Sequence, residues 1–141
     1  MNAIEINSLT KNFKKSTAID NISLNVEEGE IFGFLGPNGA GKSTTMMILT
    51  TLLKPTSGNA SVYGFDVVTN ASKVRKNIGF VQQEIGIDEY LTARENLQFQ
   101  CKISQIPKDQ TKKRIEEVID LVELTEKQDE QSITFSGGMR K

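Results

Sequence analysis

The sequence predicts an α/β fold, with strands in the first part of its 141 residues and helices in the last part. Three observations lead to this prediction. Apolar residues alternate near the N-terminus, which indicates half-buried strands. The apolar run 31–35 leads through a glycine-rich loop into a helical pattern, and two amphipathic segments follow later in the chain. We therefore expect an α/β part at 1–83 and a helical part at 84–141.

Five short segments carry the patterns of β-strands. Segments 3–9 and 22–26 alternate between apolar and polar residues, and they flank the polar stretch 11–17. Segments 31–35 and 78–81 are apolar on both faces, as strands covered on both sides of a parallel sheet are. The predicted strands are 3–9, 22–26, 31–35, 60–63 and 78–81.

Three segments have the periodicity of helices. The first begins at Lys42, carries apolar residues on one face, and is ended by Pro55. The second, 92–104, opens with the Thr-x-x-Glu pattern of a capping box. The third, 110–123, has apolar residues at positions i, i+3, i+4 and i+7. We expect the charged face of this last helix to be exposed to solvent.

The composition excludes several classes of function. Lysine and arginine total 17 against 18 acidic residues, so the net charge of −1 gives no reason to expect a nucleic-acid partner. The apolar runs are too short to span a bilayer, and the N-terminus lacks the pattern of a secretory signal, so we expect a cytoplasmic protein. The chain has no histidine and one cysteine, Cys101, which excludes histidine-based triads, cysteine–histidine pairs and internal disulfides.

A phosphate-binding loop is predicted between strand 31–35 and the first helix. Residues 36–44 fit the pattern Gly-x-x-x-x-Gly-Lys-Ser/Thr in the strand–loop–helix context that this pattern requires. Glycines allow successive N–H groups to point at one anion, and the helix N-terminus adds positive potential. Lys42 would contact the β- and γ-phosphates of ATP, and Ser43 would coordinate Mg²⁺. The predicted ATP-binding residues of this loop are Gly36, Pro37, Asn38, Gly39, Ala40, Gly41, Lys42, Ser43 and Thr44.

A second glycine motif lies near the end of the chain. Ser136 can cap a helix there, while the two glycines that follow leave backbone N–H groups free for a phosphate. With Phe135 before it and Arg140 after it, this segment resembles the signature sequence of ATP-binding cassette (ABC) ATPases, in particular drug-efflux members of the daunorubicin-resistance type. The resemblance implies that the segment contacts ATP held by a partner subunit. The residues concerned are Ser136, Gly137, Gly138 and Met139.

Three further segments fit the same resemblance. Residues 78–83 resemble the strand that enters the glutamine loop of the family, which implies that Gln83 lies near Mg²⁺ and the attacking water. Residues 91–97 resemble the start of the helical subdomain, where a membrane partner docks. Phe13 stands where the family has a tyrosine that stacks on adenine, and a phenyl ring can stack as well. A core position is the alternative for Phe13, and an ordinary surface position is the alternative for Gln83.

The resemblance implies a fold and a set of ligands for the whole chain. The fold is a P-loop NTPase core of the ABC type, with antiparallel strands at the N-terminus and a helical subdomain, incomplete at the C-terminus. The chain stops at the signature motif, so we expect it to lack the Walker B carboxylates and the switch histidine of the family. No catalytic residue is therefore assigned, and binding of ATP and Mg²⁺ without hydrolysis is expected. With their neighbouring strands missing, the apolar strands should also make the isolated chain marginally stable.

The resemblance also implies partners. These are a separate transmembrane permease, which would hold the chain at the inner face of the cell membrane, and a second ABC ATPase subunit in a homodimer or heterodimer. Two alternatives remain at this point: a soluble ABC ATPase without a membrane partner, and a nonenzymatic nucleotide-binding module.

Overall fold

A computed structural model describes residues 1–81 and 86–140, which form two compact units, Met1–Phe80 and Val81–Lys141. The first unit contains a β-sheet and two short helices, and the second is helical. The elements of the first unit are β1 (Asn2–Phe13), β2 (Ser16–Glu27), α1 (Lys42–Leu49), β3 (Ser57–Val62), β4 (Phe65–Asp66) and α2 (Ala71–Lys76). Those of the second unit are α3 (Ala93–Ile103), α4 (Lys108–Leu121) and the 3₁₀ turns Thr125–Lys127 and Ser132–Thr134.

The four strands form one antiparallel sheet in the order β2-β1-β3-β4. β1 and β2 make a long hairpin in which Phe13 lies opposite Ser16. The polar stretch 11–17 therefore belongs mostly to the paired strands, because exposed hairpin ends tolerate polar side chains on both faces. The strands predicted at 3–9 and 22–26 are confirmed, and the one predicted at 60–63 is confirmed except for Tyr63, which follows β3; each strand is longer than its apolar pattern.

The core of the first unit lies between this sheet and its two helices. Ile6 and Leu9 of β1, Ile48 of α1 and Val74 of α2 are at most 1% exposed. Burying an aliphatic side chain of this size contributes roughly 1.5–3 kcal/mol. The apolar alternation that predicts the first strands thus marks the face that α1 covers.

The segments 31–35 and 78–81 are not strands, contrary to the prediction. Ile31 is fully exposed and Leu35 is 91% exposed. Strand structure requires a neighbour that pairs with the backbone N–H and C=O groups. Among residues 1–81 and 86–140, no strand pairs with either segment, and the sheet that forms there is antiparallel rather than parallel.

Helix α1 is shorter than predicted, because it ends at Leu49. The next residues leave the helix: Thr51 has a φ of +67°, and the N–H groups of Leu52 and Leu53 both donate to the carbonyl oxygen of Met47. Leu53 still packs against the core, so its place in the apolar pattern reflects burial and does not indicate helix. Helix α2 is not predicted by the sequence pattern.

The helices of the second unit match their predictions closely. Thr92 caps α3 with both hydrogen bonds of a capping box: its hydroxyl accepts from the Glu95 N–H at 3.1 Å, and its own N–H donates to the Glu95 carboxylate at 2.8 Å. Cys101 of α3 is buried with Ile115 and Ile119 of α4 in a small second core. In the part of the chain described here, no helix has the length and apolar character needed to cross a membrane.

Asp66 stabilises the turn between β4 and α2. One of its carboxylate oxygens accepts hydrogen bonds from the N–H of Thr69 at 2.7 Å, the hydroxyl of Thr69 at 2.9 Å and the N–H of Val68 at 3.0 Å. These bonds, led by the one from the Thr69 backbone, hold the pKa of Asp66 below its ordinary value. A carboxylate with a lowered pKa contributes stability above the pKa of the unfolded chain, and this contribution is lost as pH falls through the folded pKa.

We expect Asp66→Ala to lower the free energy of unfolding at pH 7 by about 1 kcal/mol, because the turn loses its acceptor. The difference from the wild type should shrink as the pH is lowered into the range where the carboxyl is protonated. Urea unfolding at pH 7 and at low pH measures both effects. Asp20→Ala, at an exposed position of β2, is the matched control. A loss that does not depend on pH would contradict the assignment.

Candidate phosphate-binding site

The loop before α1 presents a helix N-terminus without a competing side chain. Gly41 is the N-cap, so no side-chain oxygen caps the helix, and the first turn contains no acidic residue. The first turn of the helix is stabilised by Thr45, whose N–H and hydroxyl both donate to the Gly41 carbonyl oxygen, at 2.8 and 3.0 Å. Free N–H groups and the helix dipole together favour an anion at this position.

Lys42 bends back over the loop that precedes it. Its ammonium nitrogen donates to the carbonyl oxygens of Gly36 at 2.6 Å and Pro37 at 2.7 Å. The side chain is half-buried, whereas Ser43 beside it is exposed. A positive charge and a hydroxyl thus stand at the first turn of α1, and these are the groups that can bind a phosphate and its cation.

Gly41 fixes the loop to the sheet. Its φ of +83° lies in the left-handed region, and a Cβ at this position would stand 2.3 Å from the carbonyl oxygen of Ala18 and 3.2 Å from Cγ1 of Ile19 in β2. Gly39 has nearly the same φ, +85°, but nothing lies within 4 Å of its Cβ position. The glycine at 41 is therefore needed for a close approach between backbones, whereas the glycine at 39 is needed only for its conformation.

The predicted signature residues form a capped turn in the second unit. The Ser136 hydroxyl accepts from the Met139 N–H at 3.4 Å, and the Ser136 carbonyl oxygen accepts from the Arg140 N–H at 3.1 Å. Gly137 and Gly138 are exposed, and a Cβ on either would meet nothing within 4 Å. Ser136 thus caps a turn rather than a helix, and a contact of this turn with phosphate stays a prediction.

The structure separates the two interpretations of Phe13. This residue ends β1, is 48% exposed, and has the Lys11 ammonium 5.3 Å from its ring centroid. The core interpretation is therefore wrong, while stacking on adenine stays a prediction. Gln83, the other residue predicted outside the loop, lies outside the described residues.

Sequence patterns miss the contacts that position these motifs. The approach of Gly41 to Ala18 brings together residues that are distant in the sequence, and so does the ion pair between Arg140 and Glu89. Within the described residues, no group of three or more histidine, cysteine, aspartate or glutamate side chains could hold a metal ion. Of the two predicted Mg²⁺ ligands, Ser43 lies in the first turn of α1, and Gln83 lies outside the described residues.

The glycine loop before α1 and the lysine at the first helical position define a P-loop nucleotide-binding protein. Comparison with known proteins gives the family: residues 19–141 match the ABC transporter family, and the chain belongs to it. The ABC ATPase fold and the family resemblance predicted from the sequence are thus confirmed.

Two of the curated proteins to which the chain is similar are drug-resistance ATP-binding proteins. The chain is 41% identical over 138 residues to the linearmycin resistance ATP-binding protein LnrL of Bacillus subtilis (strain 168), covering 98% of this chain and 44% of LnrL. It is 41% identical over 139 residues to the daunorubicin/doxorubicin resistance ATP-binding protein DrrA of Streptomyces peucetius, covering 99% of this chain and 42% of DrrA. The chain therefore spans less than half the length of these two relatives.

A solved structure agrees with the fold. The ATP-binding cassette MJ0796, a dimer in a post-hydrolysis state bound to ADP and Pi, superposes with a TM-score of 0.79 at 28% identity. The match covers 97% of this chain and 65% of that chain.

The pair Gly39 and Gly41 tests the contact between loop and sheet. In both alanine variants, the strain of a left-handed backbone lowers the free energy of unfolding by roughly 1–2 kcal/mol. Only Gly41→Ala also forces a Cβ against the Ala18 carbonyl, so we expect it to lower the free energy of unfolding by a further ~1–3 kcal/mol. Urea unfolding of both variants measures the difference. Equal losses would mean that α1 does not approach β2 as closely as described.

Proposed function

We propose that this chain is the ATP-binding part of an ABC transporter, in which residues 1–83 bind Mg-ATP and residues 84–141 form the helical subdomain. The observation that carries the proposal is the loop that Gly41 holds against β2, with the Lys42 ammonium folded over it. Membership of the ABC transporter family supports the same nucleotide.

ATP binding at the loop follows from the groups that already stand there. The free N–H groups at the start of α1 would bind phosphate oxygens, and Lys42 would exchange its carbonyl acceptors for the β- and γ-phosphates. The exchange is favoured because phosphate oxygens carry negative charge and carbonyl oxygens do not, so the ammonium gains a Coulombic attraction. Ser43 would bind a Mg²⁺ that offsets phosphate charge, and Phe13 would stack on adenine through its exposed face.

The signature turn would serve a second nucleotide. Ser136, with the N–H groups of Gly137 and Gly138, would contact ATP bound to another ABC ATPase subunit. The dimeric state of MJ0796 supports this arrangement, since that relative assembles in pairs with ADP and Pi bound. We expect Gln83 to act near Mg²⁺ in the first subunit.

The proposed role is export through a separate transmembrane permease, with the chain held at the inner face of the cell membrane. The names of LnrL and DrrA, both resistance proteins, support export of a toxic compound. Hydrolysis needs a general base and a carboxylate that holds the metal. We propose that these 141 residues bind Mg-ATP without turnover, since no residue of the chain is assigned to either role and the first turn of α1, beside Ser43, contains no acidic residue.

Calorimetric titration with Mg-ATP tests the proposal. We expect saturable binding that Lys42→Ala weakens by more than tenfold, because a hydrogen bond from a charged group contributes roughly 1.5–3 kcal/mol. Lys14→Ala, which removes an exposed lysine in the turn between β1 and β2, is the matched control and should bind as the wild type does.

Phosphate release is measured in the same samples. Unchanged affinity in Lys42→Ala would refute the phosphate site. Release of phosphate that depends on Mg²⁺ and is abolished by Lys42→Ala would refute binding without turnover.

A further inference from the structure

The side chain of Asn96, in the first turns of α3, forms the centre of a hydrogen-bond cluster. Its Oδ1 accepts from the Asp88 N–H at 2.9 Å. Its Nδ2 lies 2.9 Å from the Asp88 carbonyl oxygen, 3.1 Å from that of Thr92, 3.4 Å from that of Leu91 and 3.2 Å from the Ser132 hydroxyl. An amide nitrogen has two hydrogens, so these four acceptors share two donors. One half-buried side chain therefore holds the loop 88–92 in a single shape.

The loop 88–92 in turn holds the start of the signature segment, which we define as residues 132–140. The Ser132 N–H donates to the Leu91 carbonyl oxygen at 2.9 Å, and the Ile133 N–H donates to that of Glu89 at 2.8 Å. Thr92 also forms a bridge with Gln131. Ser132 is 1% exposed, so its contact with Asn96 is shielded from water.

The far end of the signature segment is tied to the same loop. The Arg140 guanidinium pairs with the Glu89 carboxylate. Glu89 thus bonds to the segment at two points. Its carbonyl oxygen accepts from the Ile133 N–H, and its carboxylate pairs with the Arg140 guanidinium. Between these two attachments lie Ser136, Gly137 and Gly138, and the hydrogen bonds of Ser136 stay within its own turn.

We propose that Asn96 is a positioning residue that places the signature segment by fixing the loop from which both of its ends are held. The residue does not touch the candidate ligand itself, and it acts through Asp88, Leu91 and Ser132. Whether the segment then meets a phosphate rests on the proposed function, but the positioning does not. Loss of the amide should release the signature segment. The packing of α3 on α4 should remain, because it uses other side chains.

Hydrogen exchange of the full chain without nucleotide tests the positioning. In Asn96→Ala, we expect the amides of Ser132 and Ile133 to exchange at least tenfold faster, with unchanged rates for the amides of α4. Gln98→Ala, at an exposed position of the same helix, is the matched control and should exchange as the wild type does. Unchanged rates at Ser132 and Ile133, or an equal acceleration throughout α4, would overturn the proposal.

The isosteric variant Asn96→Asp separates positioning from packing. The ionised carboxyl cannot donate to the carbonyl oxygens around it, so Ser132 and Ile133 should lose protection at neutral pH. Protonation restores one donor, so protection, corrected for intrinsic rates, should recover as the pH is lowered through the pKa of the introduced carboxyl. Protection of Ser132 and Ile133 that stays at the wild-type level at every pH would show that only the shape of the side chain matters, which would overturn the proposal.

Titration of Asn96→Ala with Mg-ATP keeps the two proposals apart. The phosphate loop lies in the first unit, so this variant should bind Mg-ATP with wild-type affinity. A tenfold loss of affinity would overturn the assignment of Asn96 to the signature segment alone. If the wild type binds no Mg-ATP, the proposed function fails, and the exchange rates still decide the role of Asn96.

Discussion

The close approach between the start of α1 and strand β2 determines the candidate site. Gly41 lies so near the Ala18 carbonyl oxygen that a methyl group does not fit, and Ile19, the next residue of β2, is buried in the same core as Ile48 of α1. The N-terminus of the helix is thus fixed by backbone contact and by side-chain burial. An anion site on such a support is preorganised, because little conformational entropy remains to be lost when a ligand binds.

Local chemistry is what the sequence alone predicts well. The capping box of Thr92 and Glu95 appears with both hydrogen bonds, since its partners are three residues apart. The glycine loop with Lys42 is recognisable for the same reason: dipole, ammonium and hydroxyl all come from one short stretch of chain. Strands β1 and β2 are predicted because their apolar residues alternate, and the apolar side is the face that α1 covers.

Pairing and approach between distant segments cannot be predicted in this way. The run 31–35 requires cover on both faces, but its composition does not say which strand binds its backbone, and none does among residues 1–81 and 86–140. The contact of Gly41 with Ala18 and that of Asn96 with Ser132, 36 residues away, follow from the tertiary fold. Asn96 follows a capping glutamate directly, which gives the sequence no separate reason to single it out.

The two glycine turns combine these kinds of information in the same way. The groups proposed to bind phosphate are local in each, at Gly41 and Lys42 in one turn and at Ser136 to Gly138 in the other. Each takes its position from elsewhere: the first from a close approach to the backbone of β2, and the second from the loop 88–92 through two backbone hydrogen bonds, the Asn96 amide and the ion pair of Arg140 with Glu89. The first constraint is steric, because a side chain at position 41 would not fit, whereas the second includes bonds that depend on particular polar side chains. The position of the signature turn therefore depends on polar side chains such as Asn96, and that of the first turn depends on the absence of a side chain at Gly41.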